Sequence, residues 1–205
     1  MHVIRLDRVE ADDVLAYLCQ RFDQDQKIIA SGDKDFFQML NEKTIIYCPS
    51  KKILKTKLDC VSEFGVHPNN FALAKALTGD KSDNIKGISG LGFKTLVKLF
   101  PTFKDEQKIK LSEVFDLCAK KENESPKFPS ILSQKDLVIL NFDLVQLENT
   151  IMGIQNIERI KNVLDQEVSF TQTALRLKLL HDGLLSIGQS FFDTMLSLSC
   201  RVPKR

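Results

Sequence analysis

Two short runs rich in β-branched residues, Lys27 to Ser31 (Lys-Ile-Ile-Ala-Ser) and Thr44 to Cys48 (Thr-Ile-Ile-Tyr-Cys), constrain the fold of this chain more than any other feature. Each stops at a breaker, Gly32 in one case and Pro49 in the other, so both read as buried strands with helical residues between them. Val3 to Leu6 is a further short apolar run carrying one arginine, and it too reads as a strand. Behind it Ala11, Val14, Leu15, Leu18 and Phe22 recur at helical spacing. Strand, helix, strand, helix, strand is the order of a mostly parallel sheet in an α/β fold. From about Lys57 the character changes to helical patterns that run to the C-terminus. They are broken by the glycine-rich residues 87–92, by Pro101 and by the polar stretch Lys120 to Pro129, with no internal repeat or low-complexity tract.

Composition narrows the chemistry. The 205 residues hold 29 Lys and Arg against 27 Asp and Glu, a net charge of +2, so charge alone does not point to nucleic acid. Residues 1–10 carry Arg5, Asp7 and Arg8 where a signal peptide needs an apolar core, and no apolar run is long enough to span a bilayer. Cys19, Cys48, Cys60, Cys118 and Cys200 are odd in number and widely spaced, the pattern of reduced thiols in a cytoplasm. His2, His67 and His181 are too few and too separated for a zinc hydrolase. Any chemistry here falls to carboxylates.

Three short segments are dense in acid: Glu10-Ala11-Asp12-Asp13, Ser31-Gly32-Asp33-Lys34-Asp35 and Gly79-Asp80-Lys81-Ser82-Asp83-Asn84. Taken singly, each has an ordinary explanation as a helix N-terminus or a turn. Taken together, they place Glu10, Asp12, Asp13, Asp33 and Asp35 at one edge of the sheet if the first helix and the strand ending at Ser31 share it. Two carboxylates about 4 Å apart repel by roughly 4 kcal/mol at an effective dielectric of 20, so such a cluster calls for cations. Oxygen ligands without His or Cys select Mg²⁺ or Mn²⁺. Two such ions would hydrolyse a phosphodiester.

Between apolar Phe71 to Leu77 and the helical pattern Thr95 to Phe100 lies Gly87-Ile88-Ser89-Gly90-Leu91-Gly92-Phe93-Lys94. Glycines at this spacing allow a tight turn with outward backbone amides, and the helix behind it adds unpaired N–H groups. With Lys86, Lys94 and Lys98 this reads as a loop that grips a phosphate backbone by shape rather than by base sequence.

Glu-Ala-Asp-Asp, then Ser-Gly-Asp-Lys-Asp-Phe, then Gly-Asp-Lys-Ser-Asp-Asn-Ile-Lys-Gly-Ile-Ser-Gly-Leu-Gly-Phe-Lys-Thr, in that order, resemble the structure-specific 5′ nucleases. These are the flap endonucleases, the 5′-nuclease domains of bacterial DNA polymerases and the bacteriophage 5′–3′ exonucleases of ribonuclease H type. Leu137-Val138-Ile139-Leu140-Asn141-Phe142-Asp143 and the helical close from Leu179 to Phe192 look most like the phage branch. The resemblance implies a PIN-like α/β part over residues 1–56 and a helical part over 57–205, with a helix–three-turn–helix DNA-binding element near 69–100. It implies that Glu10, Asp12, Asp13, Asp33 and Asp35 hold two divalent ions, with Asp80 and Asp83 at the second. It gives DNA contacts to Lys86, Gly87, Gly90, Gly92, Lys94, Thr95 and Lys98, with K⁺ as a further cation at the loop.

The expected activity is therefore 5′–3′ exonuclease or flap endonuclease cleavage of branched DNA or RNA primers, in the cytoplasm, or a host cytoplasm if the chain is viral. Members of that family carry a further N-terminal stretch with metal-binding aspartates and a helical arch. This chain begins nine residues before Glu10, so a separate N-terminal fragment is an expected partner, and the alternative is a non-catalytic protein that binds branched duplex.

Overall fold

The computed structural model describes residues 2–150, 152–167, 171–183 and 188–199. The chain divides into two compact units, Asp7–Met152 and a second made of Met1–Leu6 with Gly153–Arg205.

In the first unit, α1 (Ala11–Arg21) turns Val14 and Ala16 inward and carries Asp12 and Asp13 in its first turn and Arg21 in its last. Both placements complement the helix dipole. β1 (Lys27–Ala30) pairs in parallel with β2 (Thr44–Cys48), Lys27 opposite Thr44 and Ala30 opposite Tyr47. Their connection contains a 3-10 turn, Asp35–Met39, that buries Phe36 and Phe37. β3 (Ile53–Lys55) returns antiparallel on β2, because residues 49–52 form a turn, with Lys52 at a φ of 54°, that is far too short for a crossover.

The strand expected at Val3 to Leu6 is not formed. Residues 2–6 have no ladder partner and group with the second unit. A four-residue strand has little to hold it without a neighbour, and the chain turns at Asp7 and Arg8, where Arg8 takes a φ of 60°, immediately before α1.

The helical part begins with α2 (Lys57–Phe64) and a 3-10 turn at Pro68–Asn70, followed by α3 (Phe71–Thr78). A two-residue hairpin comes next, β4 (Gly79–Asp80) against β5 (Ile85–Lys86), and then α4 (Phe93–Leu99). The unit closes with α5 (Leu111–Lys120), α6 (Lys127–Ser133) and α7 (Lys135–Val145). Two apolar clusters hold it together. One lies under the sheet and includes Ile29, Phe36, Phe37, Leu40 and Ile46; the other joins α3 to α7 through Leu73, Leu77, Leu96, Ile131 and Val138.

Phe64 and Phe93 pack against both clusters. With Phe37 and Phe71 they form a chain of rings whose centroids lie 5.0 to 5.8 Å apart. Burying a phenyl ring contributes roughly 1.5–3 kcal/mol, and edge-to-face and tilted pairs add to it. These rings fix the 3-10 turn that starts at Asp35, the helix α3 and the start of α4 in one rigid block.

The second unit contains α8 (Ile154–Leu164), α9 (Gln172–His181) and α10 (Gln189–Ser199). Ile160 is its buried aliphatic anchor, and the Arg176 guanidinium sits 4.7 Å from the centre of the Phe192 ring. The helical close expected from Leu179 to Phe192 is described apart from 184–187, which with Cys200 lie outside the described residues. Cys19, Cys48, Cys60 and Cys118 are free thiols. Among the described residues no helix is long and apolar enough to cross a membrane.

Candidate active site

The acids reach one region by different local devices. Asp33 follows β1, and its carboxylate accepts the backbone N–H of Asp35 at 2.9 Å, an Asx-type turn that leads into the 3-10 turn with Asp35 at its first position. Asp80 ends β4 and accepts the backbone N–H of Ser82 at 2.8 Å and the Ser82 hydroxyl, closing the hairpin turn. Asp83 stands in that turn beside Asn84, which adopts a left-handed φ of 57°.

The hairpin is seated tightly on the end of α3. A Cβ on Gly87 would lie 2.1 Å from the Thr78 carbonyl carbon, and one on Gly79, itself at a φ of 77°, would lie 2.3 Å from the Gly87 nitrogen. Only glycine at both positions permits this approach. The result is that Asp35, Asp80 and Asp83 offer carboxylate oxygens within 4.8 Å of one another.

Lys75 belongs to none of the motifs legible in the sequence. It is 4% exposed on α3, and its ammonium pairs with both Asp35 and Asp80, with Asp83 at 3.9 Å. Burial acts to lower its pKa, but the hydrogen bonds to Asp35 and Asp80 outweigh that and raise it, so the ammonium stays charged. Burial also works to raise Asp80, yet Lys75 and Ser82 hold that carboxyl down at about 2. At Asp35 burial wins, and the carboxyl is pushed up despite Lys75. The signal was a lone lysine within Phe-Ala-Leu-Ala-Lys-Ala-Leu, a helix otherwise apolar and small.

Asp12 opens toward the same charges. Partial burial raises its carboxyl, and the negative charges of Asp33, Asp35, Glu10 and Asp13 raise it further. Glu10, Asp12, Asp13 and Asp33 are not in the tight three-carboxylate group, and among the described residues that group is the one whose ligand atoms come within such reach of one another. Oxygen-only donors of this kind suit a hard divalent cation.

Beyond the hairpin, Gly87, Gly90 and Gly92 form the loop that leads into α4. Gly90 takes a φ of 66°, and Gly92 is the N-cap residue of α4. Lys86, Lys94 and Lys98 are exposed, with Thr95 half-buried in the first turn of α4. Another basic residue joins them from a distance in sequence: the Lys127 ammonium, at the start of α6, donates to the Ser89 carbonyl at 2.7 Å. Residues 79–92 thus run without interruption from the acid cluster into the lysine-flanked loop.

Residues 1–65 match the family described as 5′–3′ exonuclease, N-terminal resolvase-like domain. A 5′–3′ exonuclease of Aquifex aeolicus is 31% identical over 176 residues, covering 78% of this chain and 61% of that protein. The bacteriophage T5 D15 protein, crystallised with metal ions, has the same fold at a TM-score of 0.68 and 20% identity, covering 79% of this chain and 61% of that one. The T5 D15 flap endonuclease in a complex with DNA and metal ions gives 0.66 and 20%, covering 78% and 60%. This chain spans about three-fifths of the length of these proteins. Residues 1–65 are thus similar in sequence to the N-terminal resolvase-like domain of 5′–3′ exonucleases, and most of the chain shares the fold of the T5 D15 protein.

Proposed function

We propose that the chain carries the metal-dependent part of a structure-specific 5′–3′ exonuclease or flap endonuclease that hydrolyses phosphodiesters in branched DNA or RNA primers. The observation that carries this reading is the continuity of the Asp35–Asp80–Asp83 group with the glycine loop through one hairpin. Two divalent ions, Mg²⁺ or Mn²⁺, would supply the charge that activates water at neutral pH and stabilises the leaving oxygen. Asp35, Asp80 and Asp83 would hold one ion; Glu10, Asp12, Asp13 and Asp33 would complete the site from the α1 side. Residues 1–56 then serve as the catalytic α/β part and 57–205 as the helical part.

The loop's role is to position substrate. Backbone amides of 87–92, with Lys86, Lys94, Thr95 and Lys98, would meet phosphates of a duplex whatever its sequence. A K⁺ ion at the loop would find the Ser89 carbonyl already taken by the Lys127 ammonium. Such a protein works in a cytoplasm, alongside DNA.

A second reading, a non-catalytic protein that binds branched duplex, is favoured by Lys75, which already balances part of the acid charge without any metal. A labelled 5′-flap substrate separates the two readings. Mg²⁺-dependent cleavage, by the chain alone or with the N-terminal segment of a relative added, supports the nuclease. Duplex binding with no cleavage in either case supports the binder.

A further inference from the structure

Asn141 lies on α7, far in sequence from the acid cluster and the loop, and is 3% exposed. Its side-chain nitrogen donates to two backbone carbonyls: Ala76 on α3 at 3.0 Å and Lys86 at the end of β5 at 2.8 Å. With two carbonyls facing it, that atom must be the NH₂ group, since an amide oxygen there would meet two acceptors. Ala76 adjoins Lys75, and Lys86 is the last residue before Gly87. One amide therefore ties the helix that carries Lys75 to the point where the hairpin carrying Asp80 and Asp83 becomes the glycine loop. A backbone bond runs beside it, from the Ile88 N–H to the Leu77 carbonyl at 2.9 Å.

We propose that Asn141 is a positioning residue for both the acid cluster and the loop, setting the depth at which residues 79–88 sit on α3 and so the spacing of the two. This rests on the function proposed above for those two elements. Groups that orient metal ligands from behind them commonly control metal affinity by about 10- to 100-fold. Asn141 does this through the backbone of the ligand-bearing hairpin, not by touching metal or substrate.

The test compares Asn141→Leu, which keeps the size but removes both donors, with Val138→Ala, which opens the same buried helix face and leaves the Asn141 amide and its two carbonyl bonds in place. Both are studied below their unfolding transitions, and Asn141→Ser, retaining a donor for one carbonyl, replaces Asn141→Leu if that variant does not fold. Hydrogen exchange should show lost protection confined to residues 79–92 in the Asn141 variant. Calorimetric titration with Mn²⁺ and anisotropy with labelled duplex should show both affinities falling by roughly 10-fold, while Val138→Ala leaves both at the parent value. Parental protection of 79–92, or parental affinities for both probes, in a folded Asn141 variant overturns the proposal. A parent chain that binds neither Mn²⁺ nor duplex defeats the function proposed above. Exchange then still decides on Asn141: selective loss upholds the clamp, and uniform or absent loss overturns it.

Discussion

Lys75 and Asp35 form an ion pair across 40 positions of sequence, and the same ammonium also holds Asp80. Three carboxylates crowded within 4.8 Å would otherwise repel without a counter-charge. Removing one partner of a buried ion pair leaves the other uncompensated, typically at about 3–5 kcal/mol. Lys75→Met is therefore expected to lower the stability of the metal-free protein by roughly 3 kcal/mol in urea unfolding. Mn²⁺ should restore part of that loss, since a bound cation takes over the charge balance. A metal-free variant as stable as the parent would show that Lys75 is dispensable to the cluster.

The parts of this molecule that sequence made visible are those fixed locally. Ile28, Ile29, Ile45 and Ile46 announce β1 and β2 because β-branched residues between breakers have few other homes. Ile53-Leu54-Lys55 is too short to stand out, and it becomes a strand only because β2 lies beside it. Val3 to Leu6 has similar local character and lacks such a neighbour, so the same reasoning fails there. The acid segments and the glycines were legible as motifs. That Gly79 and Gly87 are needed by each other, and that Lys75, Asn141 and Lys127 reach the two functional elements, depends on packing between α3, α6 and α7, which no local pattern encodes.

The two loop lysines are expected to separate by measurement. Lys94 is exposed in the first turn of α4, so Lys94→Ala should weaken duplex binding about equally for unrelated sequences and lower the salt slope by about one unit. Lys127 holds the Ser89 carbonyl, so Lys127→Met should also loosen the loop and raise hydrogen exchange over 88–92. Titrations of two unrelated duplexes over a range of salt check the first, and hydrogen exchange of the free protein checks the second. A Lys94→Ala change in sequence preference would contradict a grip by phosphate contact.

The glycines differ in what they tolerate. A methyl group on Gly87 would meet the backbone of Thr78 and Gly79, which cannot move aside without lifting the hairpin, so Gly87→Ala should cost more than about 3 kcal/mol. It should weaken Mn²⁺ binding with it, because Asp80 rides on the same hairpin. Gly92 would place an added methyl with nothing within 4 Å, and its φ of −92° is an ordinary one. There the lost N-cap preference and the reduced freedom of the unfolded chain oppose one another, so Gly92→Ala should stay within about 0.5 kcal/mol of the parent. Thermal unfolding of both variants reads the contrast directly, and equal destabilisation would mean that the hairpin does not sit against the end of α3.

His67 gives the fold an acid-sensitive joint that is not part of the Asp35–Asp80–Asp83 group. It is buried at the start of the turn Pro68–Asn70, where its Nδ1 accepts the backbone N–H of Asn69 at 3.3 Å and its backbone N–H donates to the Phe103 carbonyl at 2.8 Å. A ring nitrogen that accepts a hydrogen bond carries no proton, so this contact requires the neutral imidazole. Burial lowers the pKa, Glu106 acts to raise it and Lys57 to lower it, with a net shift below the usual 6.5. The unfolded chain then binds the proton more readily than the folded one as pH falls through about 6.5, so the contribution of His67 is present above that value and is lost below it. His67→Asn, whose side-chain oxygen can accept from the same N–H, should flatten that part of the profile while leaving the fall at lower pH, where Asp80 and Asp59 take up protons. Urea unfolding of parent and variant between about pH 7.5 and 5 measures the difference, and profiles that run parallel across that window would assign the acid sensitivity to some other group.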